Sequence, residues 1–241
     1  MTRYSKADIH IHTVCSDGTM TPEEVVQWAA EKTDLRVIAI TDHDTIEGAT
    51  TAKAYRDKHP ERFGHLDVVI GAEIMALEAD ILGLFLSHDV PAGLPAAETI
   101  RRIREQGGVA VAAHPFTMVS WFISNMKGAG MQIRRLPFDA VEAQHASPTE
   151  VLSNQVVRLV NRWGQRLPET GGSDAHFLSS IGNAYTVFPG HTAADLRKAF
   201  AEGQIAPAGF YYSPIALLRI AAAKLSGRLR RWRKPAEDLS R

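Results

Sequence analysis

Short apolar runs that each stop at a histidine or a carboxylate recur along this chain, and that repetition limits its fold more than any single motif. Arg36-Val37-Ile38-Ala39-Ile40 runs into Thr41-Asp42-His43-Asp44, Leu66-Asp67-Val68-Val69-Ile70 into Gly71-Ala72-Glu73-Ile74, and Val109-Ala110-Val111-Ala112-Ala113 into His114-Pro115. Continuous apolar runs of this length are what the strands of a parallel sheet require, because both faces of such a sheet are covered. Helix signals lie between them. Thr21-Pro22-Glu23-Glu24 joins a Thr cap, a Pro at the first helical position and a Glu three residues after the Thr. A further helix is expected near residues 96–106, stopped by Gly107-Gly108. Donors gathered at strand carboxyl ends are the arrangement of a β/α barrel, which assembles its sites along that edge.

The donors themselves carry the chemistry. In Asp8-Ile9-His10-Ile11-His12 the pleat puts Asp8, His10 and His12 on one face and leaves the isoleucines to pack. Two imidazoles on one rigid strand, with Asp17 in the turn just beyond, read as ligands of a metal rather than as surface histidines. Asp8 either orients one of these imidazoles or opens the strand. Asp42 and Asp44 fit a turn that leads into a helix over 46–58, but a cap gives no reason for His43, which reads as a ligand. Glu73 stands in an apolar stretch, where a carboxylate needs a cation, metal or arginine, to compensate it. His114 ends its strand, Phe138-Asp139-Ala140-Val141-Glu142-Ala143-Gln144-His145 offers His145, and Gly171-Gly172-Ser173-Asp174-Ala175-His176 offers Asp174 and His176.

Taken in order, Asp8-Ile9-His10-Ile11-His12-Thr13, Ser16-Asp17-Gly18, Thr41-Asp42-His43-Asp44, Gly71-Ala72-Glu73, Ala113-His114-Pro115 and Gly172-Ser173-Asp174-Ala175-His176 resemble the motifs of the PHP (polymerase and histidinol phosphatase) superfamily over roughly residues 7–190. The resemblance implies a distorted seven-stranded β/α barrel and three divalent ions, manganese, zinc or iron. His10, His12, Glu73 and Asp174 would hold the first, Glu73, His114 and His145 the second, and Asp17, His43 and His176 the third. It also implies a metal-dependent phosphoesterase of the short stand-alone type. Two places depart from the pattern. Family members vary near position 145, where Glu142 is an alternative donor that regular pleating would point the opposite way. The stretch Glu78-Ala79-Asp80-Ile81-Leu82-Gly83 has Asp80 where the family often carries His.

Such a site suits phosphate esters. A bound divalent ion lowers the pKa of its water from about 16 toward 7, and ions roughly 3.5–4 Å apart can orient the resulting hydroxide in line with phosphorus while stabilising the leaving oxygen. Imidazole with carboxylate does not choose among zinc, manganese and iron. The substrates implied are small phosphomonoesters, nucleotides or the ends of short oligonucleotides, including RNA. An amidohydrolase would share the His-x-His start, but Glu73 takes the place where that class uses a carboxylated Lys. A noncatalytic metal-stabilised module would be expected to have lost donors, and this set is intact.

Beyond the donors, residues 116–137 show little periodicity and carry Trp121, Phe122, Lys127, Arg134 and Arg135. They form either a cover over the site, with Arg134 and Arg135 contacting substrate phosphate, or a surface excursion. The chain divides into a catalytic domain over residues 1–212 and a basic amphipathic helix over 213–241. Leu218, Ala221, Leu225, Leu229 and Trp232 recur there at helical spacing. That tail holds eight Lys or Arg against Glu237 and Asp238, a surplus the rest of the chain offsets to a net charge of zero. Its first half is expected to pack on the domain, and residues 228–234 are the candidate contact for RNA or an anionic membrane. The N-terminus has no apolar signal core and no run is long enough to span a bilayer. With Cys15 as its one cysteine, a small loop residue, the chain reads as cytoplasmic.

Overall fold

The structure, a computed structural model, describes residues 3–117 and 127–212. Its backbone is one sheet in the order β7-β6-β5-β4-β3-β2-β1-β8-β9. The strands are β1 (Tyr4–Asp8), β2 (Val37–Ile40), β3 (Asp67–Met75), β4 (Asp80–Leu84), β5 (Val109–Ala112), β6 (Ala140–His145), β7 (Glu169–Gly172), β8 (Ala184–Pro189) and β9 (Ala206–Gly209). The helices are α1 (Pro22–Lys32), α2 (Glu47–Lys58), α3 (Pro60–Phe63), α4 (Ala96–Glu105), α5 (Val151–Arg162) and α6 (Ala193–Glu202).

Strands β1, β2 and β3 are parallel, as are β5, β6 and β7, while β4 runs against both of its neighbours. The reversal follows from the connection. Only Ala76 to Ala79 separate β3 from β4, and the Ala76 amide closes that turn on the Ala79 carbonyl at 3.0 Å. Four residues cannot make a parallel crossover, which takes a dozen or more.

The ring closes where the donors lie. Past the end of β1, Ile11 bridges Ala175 in parallel fashion, with the His12 amide 2.9 Å from the Ala175 carbonyl. Strands β1 to β7 therefore make the seven-membered ring that the sequence resemblance implies. The described sheet has nine strands because β8 pairs antiparallel on β1 and β9 on β8. They fill the gap on the far side of the closure, where the Thr186 hydroxyl accepts from the Gly171 amide and donates to its carbonyl, at 3.0 and 2.9 Å.

Local signals behave as their chemistry dictates. Thr21 and Glu24 form a reciprocal capping box with Pro22 in the first turn of α1, a device whose loss costs about 1 kcal/mol. Valines 25 and 26 and Ala29 then bury against Ile38, Ile40 and Phe63. Strands β2 and β5 are buried at every position, as their unbroken apolar runs require. Helix α4 ends as expected, with Gly107 at a positive φ of 70°. At the start of α2, Ile46 holds the cap position without a side-chain bond, and the Thr45 hydroxyl accepts the Glu47 amide at 3.2 Å. No helix among the described residues is long and apolar enough to cross a membrane. The basic tail over 213–241 and the aromatic pair Trp121 and Phe122 lie outside the described residues.

Candidate metal centre

The nine expected donors meet at the closed end of the ring. His10 and His12 leave β1 fully buried. His10 Nε2 stands 3.3 Å from Glu73 Oε2 and 3.4 Å from Asp174 Oδ1, and His12 Nε2 stands 3.2 and 3.1 Å from the same two atoms. Glu73 reaches in from the middle of β3, which extends beyond Ile70 to Met75. Its other oxygen, Oε1, is 2.9 Å from His114 Nε2. His145 Nε2 lies 3.2 Å from Asp174 Oδ2. At the rim, Asp17 Oδ1 is 3.0 Å from His176 Nε2 and 3.6 Å from His43 Nε2, while His43 Nδ1 is 3.3 Å from Glu73 Oε2.

Among the described residues, four sets of donors have ligand atoms within 4.8 Å of one another: His10-Glu73-His114, His10-His12-Asp174, His12-His43-Glu73 and His12-Asp17-His176. The sets overlap more than the three separate ligand groups implied by the resemblance, with His12 and Glu73 shared between the inner and rim groups. Arg134 and Arg135 stand apart from these donors. Arg134 is exposed and donates to the Trp163 carbonyl at 3.4 Å, beyond the far end of α5.

Supporting residues fix the donors. Asp8 does not orient an imidazole: its carboxylate accepts from the Ser173 and Gly182 amides at 3.0 and 2.7 Å, tying β1 to the loop after β7. Burial pushes its carboxyl up to about 6 even though these donors oppose the shift. Asp42 takes the Thr13 amide and hydroxyl, each at 2.7 Å, and the Ser16 hydroxyl at 2.6 Å, so it pins the loop that carries Asp17. Asp44 accepts from the Met75 amide at 2.8 Å. Asp44, His114 and Asp174 all hold positive φ (59°, 27° and 50°), backbone strain gathered at the donor edge.

Glu142 proves more important than its place as an alternative to His145 indicates. Its Oε1 is 3.1 Å from His10 Nδ1, and its Oε2 accepts the His114 amide at 2.9 Å. The expectation that Glu142 and His145 point opposite ways fails because β6 is not regular. Glu142 pairs with Thr170 but Gln144 with Gly171, so Ala143 is an extra residue. A bulge of this kind shifts the pleat by one and brings both side chains inward. Gly172 makes room for Glu142 and His10, since a Cβ there would stand 2.5 Å from Glu142 Oε1 and 2.7 Å from the His10 Cβ.

The electrostatics fit cation binding. Among the described residues Glu73, Glu142 and Asp174 form ion pairs with imidazoles alone. Burial opposes their ionisation, yet the surrounding histidines hold Glu73 and Asp174 well below the usual carboxylate range. Burial likewise opposes charge on the histidines, but Asp174 and Glu73 raise His12 to about 10 and Glu73 raises His114 to about 9. At neutral pH, protons thus compensate the buried carboxylates. His12 Nε2 and His43 Nδ1 are buried without a hydrogen-bond partner, although each lies within 3.3 Å of a Glu73 oxygen. Atoms aimed at a common centre show this geometry: two ligands about 2.1 Å from one ion are themselves about 3 to 3.4 Å apart. The donor set and its orphaned nitrogens fit divalent ions.

Buried imidazoles and carboxylates gathered on one edge of a β/α ring define a candidate centre for divalent metal ions. The PHP domain family matches residues 8–155 and a PHP-associated family matches 155–205, so the chain belongs to the PHP family. It is 38% identical over 175 residues to an uncharacterized protein of Methanocaldococcus jannaschii, an overlap covering 68% of this chain and 94% of that one. It is 38% identical over 104 residues to a 5'-3' exoribonuclease of Escherichia coli, covering 39% of this chain and 33% of the relative. In fold it resembles a two-domain Bacteroides vulgatus protein containing a predicted PHP-like metal-dependent phosphoesterase. That likeness has a TM-score of 0.65 at 19% identity and covers 87% of this chain and 66% of the other.

Proposed function

We propose that His10, His12, Asp17, His43, Glu73, His114, His145, Asp174 and His176 hold three divalent ions, manganese, zinc or iron, and that the enzyme hydrolyses phosphate esters of small monoesters, nucleotides or short oligonucleotide ends. The observation that carries this reading is the convergence of all nine donors on one edge of the ring, where Glu73 presents both of its oxygens to different imidazoles. Bound ions supply Lewis-acid charge toward phosphoryl oxygens and acidify water at neutral pH.

The chain's own residues supply the positioning. Glu142 orients His10 by its Nδ1 and leaves Nε2 facing the chamber, a contact that fixes both tautomer and ring angle. Asp42 holds the Asp17 loop, and Asp8 holds the Asp174 loop through the Ser173 amide. The rim donors Asp17, His43 and His176 line the open side from which a phosphate would enter; His43 and Asp17 are 28% and 39% exposed. A cytoplasmic setting is consistent with the lone Cys15.

Elemental analysis of the purified protein, followed by a hydrolysis screen over nucleotides, histidinol phosphate, bisphosphates and oligoribonucleotides, tests the proposal. It expects several divalent ions per chain and activity abolished by chelation and restored by metal. Activity that survives exhaustive chelation would overturn it.

A further inference from the structure

Five of the described arginines have a carboxylate partner, Arg56 with Asp57 and Asp67, Arg62 with Glu31, Arg101 and Arg102 with Glu98, and Arg104 with Asp139, while Arg36 and Arg197 donate to backbone carbonyls and Arg158 to Gln144. One face gathers four arginines without a carboxylate partner among the described residues. Where α5 ends, the chain turns back on itself, with the Gly164 and Arg166 amides both bonded to the Asn161 carbonyl. That turn is clamped to the short helical turn Gly130–Arg134: Gln165 donates to the Ile133 and Leu136 carbonyls, each at 2.9 Å, and Arg134 donates to the Trp163 carbonyl. The clamp gathers Arg134, Arg135, Arg162 and Arg166, all exposed, and none forms an ion pair with a carboxylate of the described residues. Trp163 sits among them with 73% of its surface in solvent. The hollow beside them is lined, among the described residues, by Met131, Gln132, Arg134 and Arg135.

Uncompensated guanidinium groups around a bare indole match single-stranded nucleic acid, whose phosphates take the cations and whose bases stack on the ring. The face also has a direct link to the metal centre. Asn154, near the start of α5, accepts the His145 amide at 3.1 Å and donates to its carbonyl at 3.0 Å. The helix rises 1.5 Å per residue, so Arg162 lies about 12 Å further along it, within reach of a short oligonucleotide. We infer that this face is an anchoring surface for a single-stranded polynucleotide whose end occupies the metal centre. The inference rests on the phosphoesterase reading for the end of the strand, but not for the contact itself.

The test measures binding of the full chain to a fluorescein-labelled single-stranded oligoribonucleotide of about 12 nucleotides, in chelator so that no hydrolysis occurs. The variants are R162E/R166E, whose side chains make no hydrogen bond to the fold, and Trp163→Ala. Each is expected to weaken binding on the order of tenfold. The salt dependence of log affinity should fall by about 0.7 for each arginine removed. Metal-dependent hydrolysis of a small nitrophenyl phosphate ester should be unchanged in both variants. Unchanged oligonucleotide binding by both variants, or a wild-type chain that does not bind, overturns the inference. So does a change in sedimentation mass in Trp163→Ala with binding intact, which would mark the face as a protein contact. Absent ester hydrolysis with binding that still depends on these residues would sink the phosphoesterase reading alone.

Discussion

The inner and outer parts of the donor cluster are built differently. His10, His12, Glu73 and His114 are at most 3% exposed, stand on or just past β1, β3 and β5, and include His10, which a second carboxylate grips from behind. Asp17, His43 and His176 lie on loops at the rim, 39%, 28% and 12% exposed by side chain. Rigid strands set ligand positions more finely than loops do, and burial strengthens every electrostatic contact. An ion held by the inner donors should therefore bind tightly, and one held at the rim should exchange.

The comparison breaks most severely at Glu73, which faces both groups. Glu73→Gln should remove most bound metal and lower hydrolysis on the order of 10³-fold, a loss comparable to deleting a principal charge-stabilising group. Elemental analysis and kcat/KM check this. Asp17→Asn should sharpen the contrast by depleting one ion while the inner donors keep theirs, so stoichiometry falls by a step rather than to nothing. Glu142→Gln should weaken inner metal affinity about 10–100-fold, as expected when the group that orients a ligating imidazole is altered. Equal loss of affinity at both parts in a metal titration would contradict the division.

Acidity offers a further test. The folded pKa of His12 is raised from 6.5 to about 10, so in the metal-free protein its contribution to stability is full below pH 6.5 and is lost as pH rises through about 10. Metal loading should reverse that trend, because cations must displace these protons and bind better as pH rises. Thermal melts across pH 6 to 10, with and without metal, report the crossing, and calorimetry in buffers of different ionisation enthalpy reports the protons released. The smallest expected effect is at the cap of α1: Thr21→Ala should cost about 1 kcal/mol by urea melt and leave metal content unchanged.

The sequence disclosed the donors because imidazoles and carboxylates at the ends of apolar runs have few other uses. It disclosed β2 and β5 because their burial leaves no room for polar residues. It hid the reversal of β4, since Ile81 to Leu84 is too short an apolar run to reveal direction. It also hid the role of Glu142, because period-two alternation cannot register an added residue. Nor did it foreshadow Tyr212, whose hydroxyl donates to the Ser173 carbonyl beside Asp174 from a distant part of the chain. Arg134 and Arg135 were legible as cations available to phosphate, but their distance from the donors depends on how the turn at Gln165 folds back.

The irregularity in β6 has an evolutionary edge. By slipping Ala143 into the strand, the protein draws two chamber-facing groups from positions that a plain ribbon would send to opposite sides. Loss of that one codon would scarcely alter the chain's length or hydropathy, yet it would rotate His145 out of the chamber. This stretch should therefore tolerate exchange of its alanines far better than any change in its count.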